Sequence, residues 1–155
     1  MSAFVRSLFA GAALTLAAGA AAAQDCPTEP SFVGVTGANS DVRASASRVD
    51  RGEWDIAEHF AREAIESGTS SRNKAAAYIN LCAALANQRS PETQEACSQA
   101  MTRNAGSWQA YTNRGAALWL SGDTEAAAED FQRAVELGGG EPAVTANAAL
   151  AACAP

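Results

Sequence analysis

A pattern of small and apolar residues recurs about every 34 positions through the middle of this chain of 155 residues. The clearest copy contains Tyr111, Arg114, Gly115, Leu118, Gly122, Asp123, Ala127, Phe131 and Ala134. A second copy contains Tyr78, Leu81, Cys82, Leu85, Ser90, Pro91, Thr93, Cys97 and Ala100, and a weaker one contains Asp41, Ala44, Ser45, Arg48, Gly52, Glu53, Ala57, Ala61 and Ala64. Each copy has two stretches at helical spacing, separated by a short break. The repeat therefore predicts pairs of short helices that bury their apolar faces by stacking on neighbouring copies.

The composition also favours helices. Of the 132 residues after position 23, 29 are Ala, and only 6% of the chain is aromatic. Ala is the best helix former, whereas sheets favour β-branched and aromatic residues. We therefore predict an all-α protein, with a generic helical bundle as the alternative to a stacked array.

The N-terminal residues 1–23 are typical of an export signal. Arg6 supplies the positive charge, and the apolar stretch that follows is too short to span a membrane. Small residues at positions 21–23 predict cleavage before Gln24. An uncleaved anchor helix is the alternative. Residues 24–39 predict an extended tail and residues 40–155 the repeat domain, in a periplasmic or secreted protein that does not insert into the membrane after cleavage.

Charge and residue types argue against several functions. The formal charge of −6 leaves no basic stripe to neutralise the phosphates of a nucleic acid. The chain has one His, His59, and one Lys, Lys74, which leaves little for a metal site or for nucleophilic catalysis. Ser71 and Lys74 match a Ser-x-x-Lys pattern, but its companion motifs are missing. We therefore predict a protein that is not an enzyme and that needs no cofactor or metal.

The spacing and residue types of residues 40–141 resemble those of the tetratricopeptide repeat family. The resemblance implies an α-solenoid of about three helical hairpins, and a final helix from Ala143 to Ala152 fits the role of a cap on the last apolar face. Gly122 is expected to permit the turn in the last repeat, and Asp123 to cap its second helix. Ser90 is expected to cap the corresponding helix of the middle repeat, with Pro91 at its first position. Arg114 departs from the family pattern, which prefers Leu there.

The four cysteines are expected to form disulfides, since their number is even and the chain is predicted to be exported. With a hairpin turn near residues 88–90, Cys82 and Cys97 lie at similar heights on facing helices. Buried free thiols are the alternative. Cys26 then pairs with Cys153 if it pairs at all. Residues 27–39 can span roughly 40 Å when extended, so the tail could run back along the array and carry Phe32, Val33 and Val35 into the groove.

In this family the first helices of successive repeats line a concave face that binds extended peptides or helices. The register implies a peptide-binding set in this chain of Arg43, Ile79, Asn80, Thr112, Asn113, Ala116 and Trp119. Asn80 and Asn113 each follow a Tyr by two residues. Their amides offer both a donor and an acceptor, and so could hold a peptide backbone regardless of its sequence. The alternative is that Asn is simply common at this position. Trp119 is either a binding platform or a contact for the last helix, and we favour the contact because large aromatic side chains are mostly packed.

Taken together, the residues and the resemblance predict a non-catalytic scaffold or adaptor in the bacterial cell envelope. It is expected to be a monomer that binds a protein or peptide segment in the groove. The alternative is an integral accessory subunit of an envelope assembly or secretion complex.

Overall fold

The computed structural model describes residues 26–154, and within that range the protein is all-α, as predicted. Its helices are α1 (Ser40–Val49), α2 (Trp54–Glu66), α3 (Ser71–Asn87), α4 (Thr93–Arg103), α5 (Trp108–Ser121), α6 (Thr124–Gly138) and α7 (Pro142–Ala152). The predicted export signal and its cleavage site before Gln24 lie outside the described residues.

Most helix starts have a local cause in the sequence. Asn39, Ser70 and Ser107 stand just before α1, α3 and α5, and each side chain accepts a hydrogen bond from a backbone N–H of the first turn. The predicted turn between α5 and α6 is confirmed. Gly122 has a φ of +92°, in the left-handed region that favours glycine, and the Asp123 side chain accepts from the N–H of Ala126.

The start of α4 differs from the prediction. The helix begins at Thr93, not at Pro91. The Ser90 side chain accepts from the N–H of Glu92, and its backbone carbonyl accepts from Thr93. These bonds close a turn at residues 90–93, so the helix starts only after that turn.

The helices pack in consecutive pairs, and the odd-numbered helices also contact one another in order. α1 packs on α2, α3 on α4, and α5 on α6, while α3 contacts α1 and α5, and α5 contacts α7. Small residues permit this close packing. A Cβ built on Gly115 of α5 would lie 2.7 Å from the ring of Phe131 on α6. The Ala residues 57, 61 and 64 of α2 are fully buried.

Two disulfides join distant and neighbouring parts of the chain. Cys82 and Cys97 connect α3 to α4 with a Cα–Cα distance of 4.7 Å, and both are buried. We call this bond the hairpin disulfide. Cys26 and Cys153 connect the start of the described chain to the end of α7, and both are exposed. We call this bond the tether disulfide. It holds one end of the segment formed by residues 26–39, and α1 holds the other.

Candidate peptide-binding site

Three buried asparagines occupy corresponding places on three neighbouring helices. Asn80 lies on α3, Asn113 on α5 and Asn147 on α7, which places them 33 and 34 positions apart in the sequence. Their exposed fractions are 0%, 0% and 1%. We call these residues the Asn row. Buried amides require hydrogen-bond partners, and here the partners come from the chain's own N-terminal residues.

Each member of the Asn row makes the same pair of hydrogen bonds to one residue of the segment. The Asn147 Oδ1 accepts from the N–H of Ser31 at 2.7 Å, and its Nδ2 donates to the Ser31 carbonyl at 2.9 Å. Asn113 pairs in the same way with Val33, at 2.9 Å for both bonds. Asn80 pairs with Val35, at 2.7 and 3.0 Å. Alternate residues of the segment thus bind α7, α5 and α3 in turn, which requires an extended backbone.

This pairing satisfies both backbone groups of the residue it holds and uses no side chain of the segment. An amide side chain presents a donor and an acceptor side by side, as the edge of a β-strand does. Six such hydrogen bonds fix the segment at three points. These hydrogen bonds therefore depend on the backbone conformation of the segment and not on the identity of its side chains.

Contacts inside the protein hold the amides of the row in place. The Asn113 Nδ2 also donates to the carbonyl of Ile79 on α3 at 3.2 Å. The Asn80 Nδ2 donates to the Ser45 hydroxyl on α1 at 2.8 Å. These bonds link neighbouring helices and fix which way the amides of Asn113 and Asn80 point, so these two members of the row are oriented by the helices as well as by the segment.

Further polar contacts hold the C-terminal part of the segment. The Asp50 carboxylate accepts from the N–H of Gly34 at 2.8 Å, and the Asn73 Oδ1 accepts from the N–H of Ala38 at 3.1 Å. The Arg43 guanidinium donates to the carbonyls of Gly37 and Ala38. Arg43 stands on α1 at the place that corresponds to the Asn row, so a fourth helix also binds the segment backbone.

Apolar side chains of the segment pack between the helices. The Phe32 ring meets Trp54 edge to face, with centroids 5.9 Å apart. It also packs against buried clusters that include Leu85 of α3 and Ala116 of α5. Val35 packs against the clusters that contain Val42 of α1 and Ile79 of α3. The segment thus contributes to the hydrophobic core as well as to the hydrogen bonds.

Several residues of the predicted binding set meet the segment directly. Asn80, Asn113 and Arg43 hydrogen-bond its backbone, as described above. Ile79 and Ala116 are buried, with exposed fractions of 1% and 0%, in the clusters under Val35 and Phe32. Backbone and side chains of the tail thus fill the surface that the sequence assigned to a peptide.

The other two predicted residues have different surroundings. Thr112 is fully buried, and its hydroxyl donates to the carbonyl of Trp108 within α5. Trp119 lies with its ring 6.4 Å from that of Phe131, and both Trp119 and Ala151 of α7 pack against the cluster that contains Phe131. Trp119 is therefore part of the packing under the last helix.

Sequence reasoning missed Asn147, Asn73 and Asp50. Asn147 carries a signal that could have found it, since it stands 34 positions after Asn113. The sequence analysis predicts the last helix only as a cap, whereas in the structure this helix also continues the row. Asn73 and Asp50 stand outside the repeat register and carry no such signal.

The main buried charge lies away from the segment. The Arg114 guanidinium donates to both carboxylate oxygens of Asp130 at 2.6 and 2.7 Å, and Asp130 is only 5% exposed. These hydrogen bonds raise the pKa of Arg114 above its usual value, against the opposing effect of burial. The pair borders a surface pocket of about 630 Å³ between α4 and α6. Arg114 thus has a structural partner where the family pattern has Leu.

The remaining candidates from the sequence are distributed over the surface. His59 is exposed on α2, and Ser71 is exposed at the start of α3. Within residues 26–154, no group of His, Cys, Asp or Glu side chains is arranged to hold a metal ion. In the same range, no helix combines the length and apolar character that crossing a membrane requires.

Comparison with known proteins found no match among family models, curated proteins or solved structures.

Proposed function

We propose that this protein is a non-catalytic interaction protein of the bacterial cell envelope and that its Asn row binds an extended peptide backbone. The observation that carries the proposal is the repeated pair of hydrogen bonds between each Asn and one residue of the N-terminal segment. The site holds a peptide by its backbone, and that peptide is the protein's own.

The arrangement supports a solenoid of tetratricopeptide-like hairpins with a concave inner face. Arg43, Asn80, Asn113 and Asn147 correspond in register and bind successive parts of one extended segment. An extended chain advances about 6.6–6.8 Å over two residues, whereas packed helix axes lie about 8–10 Å apart. Amide tips that bind alternate residues lie closer together than the helix axes, as they would on an inward-curved face, and this supports the proposed solenoid.

The signal-like residues 1–23 and the disulfides support export. Disulfides persist in oxidising compartments and are rare in the reducing cytosol. The tether disulfide is exposed, so reducing conditions would reach it directly. A periplasmic or secreted location is therefore part of the proposal.

A second candidate function is that of an integral accessory subunit in an envelope complex. The observation that favours it is that the segment is covalently held at both ends, by the tether disulfide and by its continuation into α1. A short tether gives the segment a high effective concentration, on the order of millimolar, against any outside peptide. A permanently filled groove would leave the partner to bind another surface.

Site-specific photo-crosslinking in the native envelope tests both candidates. A photoreactive phenylalanine replaces Arg43, which is exposed on α1 and binds the segment backbone, and in a matched chain it replaces the exposed His59 on α2. If the groove binds a partner, the Arg43 position crosslinks to a second protein, and Asn113→Ala removes that product. If the protein is a subunit with a filled groove, the Arg43 position crosslinks only to residues 26–39, and the His59 position yields a stoichiometric partner. Absence of a second protein from both positions would contradict an interaction function.

A further inference from the structure

We infer that the ligands of this site share a sequence pattern with the segment that fills it: aromatic, any residue, Gly, aliphatic, any residue, Gly. In this chain the pattern is carried by residues 32–37, Phe-Val-Gly-Val-Thr-Gly. The inference rests on the proposed function and adds the class of peptide that the site accepts. The Asn row selects an extended backbone, and the residues that pack beside the segment select its side chains.

The first glycine is required by the backbone of α1. A Cβ built on Gly34 would lie 2.3 Å from the carbonyl oxygen of Ala46 and 2.8 Å from its Cα. Gly34 does not have a positive φ, so the requirement comes from space and not from backbone conformation. Because the opposing atoms belong to a helix backbone, a side chain here must displace the helix or the segment.

The second glycine is required by a side chain that also binds the segment. A Cβ on Gly37 would lie 2.5 Å from the Asn73 Oδ1. That oxygen accepts from the N–H of Ala38 at 3.1 Å. Asn73 could rotate away from a larger residue, but the next backbone hydrogen bond would then be lost.

The aromatic and aliphatic positions are set by apolar surroundings. Phe32 contacts Trp54 edge to face and packs against clusters contributed by α3 and α5. Val35 packs beside Ile79 and Val42. In contrast, Thr36 is exposed and Val33 is bound through its backbone N–H and carbonyl, so both positions tolerate substitution, and Thr36 provides a control.

Amide hydrogen exchange on the full chain, with both disulfides intact, tests the pattern within the molecule. The N–H groups of Val33 and Val35 report docking, because each is bonded to the Asn row. We expect Gly34→Ala to speed the exchange of both groups by at least about tenfold. Thr36→Ala should change it less than about twofold. Equal exchange in the two variants would overturn the glycine requirement.

Binding in trans tests the same pattern with a separate peptide. The receptor is the full chain with Cys26→Ser, Cys153→Ser and Gly34→Ala, in which the clash expels the segment and leaves the groove residues unchanged. The ligand is a fluorescent peptide of residues 27–38, measured by anisotropy. We expect saturable binding that weakens at least about tenfold when the peptide carries Gly34→Ala or Phe32→Ala, and less than about twofold with Thr36→Ala.

The outcomes separate the inference from the proposed function. If the peptide variants all bind equally and Asn113→Ala in the receptor still abolishes binding, the sequence pattern is wrong and the backbone site stands. If the amides of Val33 and Val35 exchange at unstructured rates in the unmodified chain, the segment does not dock and both proposals fall. Should the receptor variant not fold, the exchange experiment decides alone, since it needs no expelled segment.

Discussion

Replacing Asn113 with Ala measures how much the Asn row contributes to stability. The change removes hydrogen bonds to the N–H of Val33, the carbonyl of Val33 and the carbonyl of Ile79, at 2.9, 2.9 and 3.2 Å. At about 1 kcal/mol net for each bond, the loss is about 3 kcal/mol. Asn113 is fully buried, so water does not readily replace the missing partner, and the N–H of Val33 is left without an acceptor.

Asn87→Ala is the matched control. Asn87 is half-buried near the end of α3 and makes one hydrogen bond, from its Nδ2 to the carbonyl of Ala83 at 2.9 Å. Asn87 is the last residue of α3 and Asn113 lies inside α5, so the gain in helix propensity is at most roughly 0.6 kcal/mol in either variant and is small beside the hydrogen bonds removed. The difference between the two variants reduces to two hydrogen bonds, or about 2 kcal/mol.

Urea denaturation followed by tryptophan fluorescence, with the disulfides intact, measures this difference. For an m value of about 2 kcal/mol/M, the midpoint of Asn113→Ala should lie about 1 M below that of Asn87→Ala. A midpoint for Asn113→Ala at or above that of the control, together with unchanged amide exchange at Val33, would refute the assignment of a binding role to the Asn row.

Three further outcomes are expected. A small dithiol under native conditions should reduce the tether disulfide before the hairpin disulfide, because the tether disulfide is exposed and the hairpin disulfide is buried. Alkylation of the freed thiols, followed over time by mass spectrometry, measures this order. Simultaneous alkylation of all four cysteines would contradict it. Arg114→Met should lower the free energy of unfolding by about 2–3 kcal/mol, because it leaves a buried carboxylate without its partner, whereas Arg133→Met, which breaks an exposed ion pair, should leave the free energy of unfolding unchanged. Gly115→Ala should lower the free energy of unfolding by about 1–2 kcal/mol, seen as a lower melting temperature, because the added methyl group clashes with the buried ring of Phe131. Gly140→Ala meets nothing within 4 Å and should leave the melting temperature unchanged; equal effects of the two substitutions would contradict the close approach.

The all-α class and the turn between α5 and α6 could be predicted from the sequence, because their causes are local. Asp123 caps α6 through an atom three residues away, and Gly122 adopts its turn on its own. The predicted start of α4 at Pro91 was wrong, because two hydrogen bonds of Ser90 close a turn at the place where the prediction puts a helix cap. Such competition between two local motifs depends on small energy differences that a pattern does not contain.

Part of the candidate site could likewise be predicted from the sequence, and part could not. The repeat placed Asn80 and Asn113 at corresponding positions, since one supersecondary unit copied along the chain repeats its surface. Asn147 stands at the same spacing after Asn113, so the repeat also carries the signal that α7 continues the row. The repeat could not show that Arg114 meets a buried Asp130, because Asp130 lies on another helix and outside the recurring pattern.

By itself, the sequence determined the helices, their recurrence and the amides that face one side, because propensity, capping and periodicity act over a few residues. Only the tertiary structure decided what those amides hold. Ser31 meets Asn147 across 116 positions of the chain, and such a contact exists only where stacked helices bring the matching amides into one row. Ser31, Val33 and Val35 are each held there by one amide of the row, through both the backbone N–H and the carbonyl.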